Sequence, residues 1–185
     1  MYFFTCMILA LSLNCSIKDQ NSSIIYHNKM ADTYFHQGNY PEMLYHLQEK
    51  VKYDKQDTQT WADISYYYWS MSVNEKNKKE YYSKKALSVL LDGLNYNKDS
   101  YYLYDEIGKY YLNSAKDFKS ALPYFEQSVT KKDCTNIPFH ILARCYESDN
   151  QPLKAVYVIE SCLKKFPNDA KAKAELNKLY NKIKD

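Results

Sequence analysis

The sequence contains little glycine and little arginine: 3 glycines stand in 185 residues, and Arg144 is the single arginine. Because the glycines are scattered at positions 38, 93 and 108, they cannot form a glycine-rich loop around a phosphate. The 5 prolines add little further turn chemistry, which argues against a sheet of many short strands. Long helices joined by short turns are therefore expected.

Sequence patterns that hold metals or carry out catalysis are also missing. The 4 histidines form no His-Glu-x-x-His pair, and Cys134, Cys145 and Cys162 form no Cys-x-x-Cys pair. No nucleophile is matched with a base, so we predict no enzyme activity, no catalytic residue, no metal site and no cofactor. Cys145 and Cys162 are expected to be compact buried residues, and a disulfide between them is the alternative in an oxidising compartment.

Composition indicates a folded chain without an electrostatic preference for nucleic acid. Hydrophobic residues make up 45% of the chain and charged residues 25%, which is enough to bury a core in one domain or one short array. The net charge of +3 is too small to indicate a nucleic-acid partner. Tyrosine is unusually common, with 21 residues, but together with the lysine bias this is typical of an AT-rich genome.

The N-terminal segment has the pattern of a targeting signal. Residues 2–13, YFFTCMILALSL, contain no charged residue. The run is shorter than the roughly 20 residues that span a bilayer, but its length suits a secretory signal. With the cysteine that follows, it resembles a bacterial lipoprotein signal, which implies a signal peptide at 1–14, lipid on Cys15 and a polar tether at 15–23. We therefore predict an exported, membrane-anchored protein of the cell envelope. An ordinary signal peptide or anchor, or a cytoplasmic protein if the segment is no signal, are the alternatives.

Residues 136–169, NIPFHILARCYESDNQPLKAVYVIESCLKKFPND, form the clearest unit of the chain. Apolar residues recur at spacings of three and four, which places them on one face of each of two amphipathic helices. The two stripes are Phe139, Leu142, Ala143 and Tyr146, then Ala155, Ile159, Cys162 and Leu163. Pro167 ends the unit, because proline cannot donate into a continuing helix.

This pattern of small, aromatic and terminal proline positions resembles the tetratricopeptide repeat (TPR), a 34-residue helical hairpin. Gly108 lies 35 residues before Ala143 and Ala121 lies 34 before Ala155, so the unit recurs upstream. The resemblance implies an all-α fold, a right-handed αα solenoid of about four TPR-like hairpins plus a C-terminal capping helix. The predicted repeats are residues 24–57, 58–100, 101–135 and 136–169, and the capping helix is 170–185.

Three departures from a regular repeat carry structural expectations. Residues 73–82, VNEKNKKEYY, lengthen the second repeat, and we expect longer helices flanking a surface loop. Met43 stands where the family prefers alanine and should push its two helices apart. Gly108 falls inside a helix at a cost of about 1 kcal/mol, which a closely approaching neighbouring helix would explain.

The resemblance also implies where a partner would bind. In this family the first helix of each hairpin lines a concave groove for peptides. The positions that would face this groove are Asn28, Asp32, Phe35 and His36 in the first repeat, Asp63, Tyr66 and Trp69 in the second, Tyr102, Asp105, Glu106 and Lys109 in the third, and His140, Ile141 and Arg144 in the fourth. Aromatic residues beside mixed charges suit a peptide interface.

The predicted function is thus that of a non-catalytic scaffold that binds a protein or peptide, with no small-molecule substrate evident. Asn28 and Asp32 stand where chaperone-binding members need Lys and Asn to clamp a terminal carboxylate, which disfavours a chaperone adaptor. Two alternatives remain. One is a structural subunit of an envelope assembly that binds through its convex face or terminal helix. The other is an enzyme or carbohydrate-binding accessory with an unrecognised site.

Overall fold

The computed structural model describes the backbone of residues 2–184 and the side chains of residues 18–113 and 116–184. Over this range the chain consists of helices and short turns without a strand, as predicted. The α-helices are α1 (Tyr2–His36), α2 (Tyr40–Tyr53), α3 (Thr58–Asn74), α4 (Lys79–Tyr96), α5 (Tyr101–Tyr110), α6 (Phe118–Thr130), α7 (Ile137–Ser148), α8 (Pro152–Lys165) and α9 (Ala170–Lys184).

Helix α1 begins well before the predicted first repeat. Its backbone is helical through residues 15–23, the stretch predicted to be a tether, and it continues to His36. The side chain of Cys15, the predicted lipidation residue, lies outside the described residues. Within the part of the chain that the structure describes, no helix is both long enough and apolar enough to cross a membrane.

The helices form two compact units, residues 1–96 and 97–185. In the first unit α1 packs on α2 and α3 packs on α4, and α2 contacts α3. In the second unit α5 packs on α6 and α7 on α8, α6 contacts α7, and α9 packs on α8. Four helical hairpins followed by a single helix are therefore present, as the repeat pattern predicted.

The buried residues are those that the spacing of three and four selected. The core of the second unit includes Phe139, Leu142 and Ala143 from α7, and Ala155 and Ile159 from α8, none of them more than 4% exposed. Leu163 packs against this core at its edge. The core of the first unit is smaller and contains Ala31, Met43, Leu44, Leu47, Val51 and Ile64.

The two extra lengths of sequence are taken up without breaking the hairpins. Helices α3 and α4 have 17 and 18 residues and are joined by a 3-10 turn at Lys76–Lys78, which confirms the expected lengthened helices. After α5 the chain forms a π-helical segment, Tyr111–Ala115, which accommodates one additional residue. Lys116 then turns the chain with a left-handed φ of 51°.

Close packing between the helices of a hairpin depends on glycine at two positions. A Cβ at Gly108 would lie 2.7 Å from Cζ of Phe125, whose ring is fully buried. A Cβ at Gly93 would lie 2.7 Å from Cγ of Trp61. The expectation that a neighbouring helix closely approaches Gly108 is confirmed, and the neighbour is α6.

Side chains satisfy the free N–H groups at the start of several helices. The carboxylates of Asp57, Asp117 and Asp169 accept hydrogen bonds from Thr60, Ser120 and Ala172 backbone N–H groups at 3.0–3.1 Å. Such caps satisfy donors that have no partner inside the helix. Asp169 thus caps the last helix, α9.

We predict that Gly108→Ala destabilises the protein, although alanine is the better helix former. The added methyl group would meet the buried Phe125 ring, and overpacking of this kind costs about 1–3 kcal/mol. Thermal or urea unfolding measures the loss. Ser88→Ala on the exposed face of α4 is the control, because there alanine meets no packed neighbour and should be neutral or slightly stabilising. Equal stability of Gly108→Ala and wild type would contradict the packing of α5 on α6.

We predict that Asp57→Ala costs about 1 kcal/mol through loss of the α3 cap, whereas Asp57→Asn retains the cap. Asparagine loses the ion pair between Asp57 Oδ2 and Lys50 Nζ, which are 2.8 Å apart, and alters the hydrogen bond of 2.8 Å that Oδ2 accepts from the Thr60 hydroxyl. Partial burial opposes ionisation, but hydrogen bonds from Lys50 and Thr60 hold the pKa of Asp57 below its usual range.

The pH dependence of this ion pair follows from the direction of the pKa shift. A folded-state pKa below the unfolded value stabilises the fold at neutral pH, and this stabilisation is lost as the pH falls through the lowered pKa. The difference in unfolding free energy between wild type and Asp57→Asn should therefore vanish in acid. A difference that is unchanged by acid would show that the charge of Asp57 contributes nothing.

Candidate functional site

In the first unit, residues predicted to face a groove come together around one cavity of about 500 Å³. Helix α1 contributes one wall and helix α3 the facing wall. The floor is apolar and is made by Ala31 of α1 with Met43 and Leu47 of α2. Five predicted groove residues line this α1–α3 pocket: Asn28, Asp32, Phe35, Asp63 and Tyr66. Lys29 and Tyr67 complete the lining.

Aromatic rings form much of the pocket's outer wall. The rings of Phe35 and Tyr67 are 6.4 Å apart between centroids, and those of Tyr66 and Tyr67 are 5.6 Å apart, both edge to face. Tyr40 lies 5.8 Å from Tyr67, and a second cavity of about 400 Å³ adjoins this side. Phe35 is 46% exposed and Tyr66 is 59% exposed. Large aromatic surfaces therefore remain accessible beside an apolar floor.

The charged groups of the pocket are the carboxylates of Asp32 and Asp63 and the amine of Lys29. Asp32 Oδ1 lies 3.4 Å from Nε2 of His36, and Asp63 accepts a hydrogen bond of 2.8 Å from the side chain of Gln59. Burial and the neighbouring Asp63 carboxylate raise the pKa of Tyr67, so its phenol stays protonated. The pocket thus combines aromatic walls with two carboxylates.

Two of the predicted residues of the first unit border the pocket without lining it. The ring of Trp69 lies 5.8 Å from that of Tyr66, so it supports the aromatic wall. His36 interacts with Asp32 at the end of α1.

The predicted residues on α5 are largely engaged with one another. The side chain of Asp105 is only 5% exposed, and its Oδ2 lies 2.6 Å from Nζ of Lys109. Lys109 Nζ also lies 2.8 Å from Oε1 of Glu106. Burial raises the pKa of Asp105. Burial opposes the charge of Lys109, but the ion pairs with Asp105 and Glu106 outweigh it and raise the pKa of Lys109. Tyr102, one turn earlier, is partly buried.

On α7, the three predicted residues have three different environments. Arg144 is exposed, and Ile141 packs against the edge of the core. His140 is only 5% exposed, so it does not face an open groove as expected. The reason is that α9 covers it: Nε2 lies 2.9 Å from Oδ2 of Asp169, and Nδ1 lies 2.6 Å from Oε2 of Glu175.

Cys162 completes this buried cluster, which sequence reasoning missed. Its Sγ lies 3.8 Å from Asp169 Oδ2, and burial together with that carboxylate raises the pKa of the thiol to about 12. Asn136 also donates to Asp169 Oδ2 at 2.7 Å. The residues come from different elements at irregular spacing, so no sequence motif could reveal them; the only signal was an aspartate suited to capping α9. Cys134, Cys145 and Cys162 are free buried thiols, so the alternative Cys145–Cys162 disulfide is not formed.

Solved structures similar to this chain are tetratricopeptide-repeat proteins. TTC0263, a thermophilic TPR protein of Thermus thermophilus, has a TM-score of 0.59 at 17% identity and covers 93% of this chain and 95% of its own. YrrB, described as a TPR protein with an unusual peptide-binding site, has a TM-score of 0.57 at 15% identity and covers 92% and 83%. The first TPR domain of Spaghetti (RPAP3), bound to the HSP90 peptide SRMEEVD, has a TM-score of 0.54 at 16% identity and covers 71% and 99%.

These likenesses show the fold. The chain has an all-α solenoid fold of TPR-like helical hairpins, as the repeat pattern predicted. No protein-family model matches the sequence, and no curated protein matches it in sequence.

Proposed function

We propose that the protein is a non-catalytic scaffold that binds a peptide segment of another protein in the α1–α3 pocket. The observation that carries this proposal is the convergence of exposed aromatic rings and an apolar floor on one cavity. Exposed aromatic side chains beside a preformed apolar cavity are typical of the centre of an interface. Because helices position both walls before a peptide arrives, the protein loses little conformational entropy on binding.

The chemistry of the pocket favours one kind of peptide. The floor of Ala31, Met43 and Leu47 suits an apolar side chain, which Phe35 and Tyr66 would flank. Asp32 and Asp63 lie on opposite walls, so a lysine or arginine next to that side chain would find a carboxylate from either direction. We therefore propose a ligand with an aliphatic or aromatic residue next to a basic residue.

This preference differs from that of the Spaghetti domain, whose bound peptide, SRMEEVD, is acidic towards its C-terminus. Here the two pocket aspartates would repel such a segment, since like charges brought close together in a partly buried site cost free energy. Asn28 and Asp32 both line the pocket. These residues stand where a carboxylate clamp would need lysine and asparagine.

We predict that the full-length chain binds peptides with an apolar residue flanked by lysine or arginine more tightly than matched peptides flanked by aspartate or glutamate. Fluorescence anisotropy with two synthetic pools of equal length measures the difference. Tyr66→Ala should weaken binding of the basic pool by about 10-fold or more, as the loss of an aromatic anchor does. Asp63→Asn should reduce the preference for basic flanks.

Tyr81→Ala is the matched control for Tyr66→Ala. Tyr81 lies on α4 in the first unit and is 56% exposed, so its loss tests whether any surface tyrosine matters. Circular dichroism verifies the fold of each variant. Binding that is equal for both pools, or that Tyr66→Ala leaves unchanged, would refute the α1–α3 pocket as the binding site.

A second candidate is binding through the opposite face of a hairpin, as a structural subunit would do. Leu153 and Tyr157 lie one turn apart on α8 and are 71% and 68% exposed. Two neighbouring exposed apolar side chains on the second helix of a hairpin favour a contact on that side. If Tyr157→Ala abolished capture of a native partner while Tyr66→Ala did not, this candidate would replace the first.

We further propose that the protein is exported and held at a membrane by lipid on Cys15. The proposal is supported by the apolar run at residues 2–13 with a cysteine two residues after it. Several acyl chains on one residue would supply the multiple signals that stable anchoring needs.

We predict that the chain incorporates a labelled fatty acid in bacterial cells and that Cys15→Ala abolishes the label. The variant should also leave the membrane fraction. Cys6→Ala, which changes the other cysteine of the segment, is the control and should retain both label and location. Label that persists in Cys15→Ala would refute lipidation at this residue, and absence of label in the unaltered chain would refute the lipoprotein proposal.

A further inference from the structure

The buried cluster at the start of α9 has the composition of a transition-metal site. His140 from α7, Cys162 from α8 and Asp169 before α9 each offer one ligand atom, and these atoms lie within 4.8 Å of one another. We propose that the cluster binds a zinc-type divalent ion, which joins the last hairpin to the terminal helix. The proposal is independent of the peptide-binding pocket, which lies in the other unit.

The spacing of the ligand atoms suits a tetrahedral ion. Zinc bonds of about 2.0–2.3 Å place nitrogen, oxygen and sulfur ligands about 3.3–3.6 Å from one another. Nε2 of His140 lies 2.9 Å from Asp169 Oδ2, and Cys162 Sγ lies 3.8 Å from the same oxygen. These two separations lie on either side of the required range, and the third, between His140 and Cys162, is at most 4.8 Å. The side chains must therefore close around an ion for all three to bind it. Water can take the fourth position.

The groups around the ligands already orient them. Glu175 Oε2 lies 2.6 Å from Nδ1 of His140. A proton on Nδ1 would be donated to this carboxylate, which would leave Nε2 to face the ion. A carboxylate on the far nitrogen is the usual outer partner of a zinc-bound histidine. The two carboxylate oxygens of Asp169 have different partners. Oδ1 accepts a hydrogen bond of 3.0 Å from the Ala172 backbone N–H as a helix cap, whereas Oδ2 faces His140 and Cys162.

The donor set selects the class of ion. One thiolate, one imidazole and one carboxylate suit zinc, whereas calcium and magnesium prefer oxygen ligands alone. The thiol of Cys162 must lose its proton to bind the ion, so metal binding releases a proton.

A purely structural role is the competing account, because His140 between two carboxylates would by itself hold α9 in place. Titration of the full-length, reduced chain with Co²⁺ separates the two. Bound cobalt should give a thiolate-to-metal absorption band that saturates at one ion per chain, and Zn²⁺ should displace it. Zn²⁺ should also raise the unfolding temperature, since the assembled three-ligand site exists in the folded chain and gives it the higher affinity for the ion.

Four variants test the assignment. Cys162→Ala should abolish the thiolate band. Asp169→Asn retains the helix cap, because asparagine caps as well as aspartate, and should weaken Co²⁺ binding at least about 10-fold. Glu175→Gln, which alters only the outer partner, should weaken it about 10- to 100-fold. Cys145→Ala changes a buried thiol outside the cluster and should leave the band intact.

Circular dichroism shows whether each variant is folded, and Asp169→Asn keeps the test decisive if Cys162→Ala does not fold. A folded unaltered chain that binds Co²⁺ without a thiolate band would overturn the proposal. A band of equal strength and affinity in Asp169→Asn would overturn it too. Loss of the band in Cys145→Ala would place the thiolate elsewhere and likewise refute the site.

Discussion

The structure depends on one steric condition: the two helices of each hairpin must approach closely enough that one of them presents glycine or alanine. The buried ring of Phe125 packs against Gly108, and Trp61 packs against Gly93. In α6 and α8 the small residues are Ala121 and Ala155, both fully buried. Once these contacts fix which face of each helix is internal, the remaining faces are determined as well. The exposed aromatic side chains of α1 and α3 are therefore a consequence of packing on the opposite side of those helices.

The predicted groove residues of the two units have different surroundings. In the second unit, Asp105 pairs with Lys109, and His140 Nε2 lies 2.9 Å from Asp169 Oδ2. Their carboxylates and bases stabilise neighbouring groups and cannot also receive a peptide without breaking those pairs. In the first unit the pocket acids lie beside accessible aromatic rings and an apolar floor. The candidate peptide-binding residues that stay accessible are thus concentrated in the first unit, although the repeat pattern distributed the candidates over all four repeats.

The hairpins and most of the core could be predicted from sequence because both follow from local periodicity. Spacings of three and four fix which residues share a face, and this selected Ile159 and Leu142 as core residues correctly. The resemblance to the repeat family placed His140 on the groove-facing side of α7. It could not show that the helix beginning at Ala170 packs over that face, since this is a contact between elements far apart in the chain. The cluster with Cys162 and Asp169 was missed for the same reason.

The candidate binding pocket includes Met43, a residue at which the first repeat departs from the family pattern. Met43 occupies a position where this family of repeats prefers alanine, and alanine would leave α2 without a side chain to fill that space. In the structure Met43 is 2% exposed and forms part of the pocket floor with Leu47. Methionine is flexible and polarisable, so it can adapt to apolar side chains of different shape. A departure that looks like decay of the repeat therefore supplies the adaptable surface on which a ligand side chain would rest.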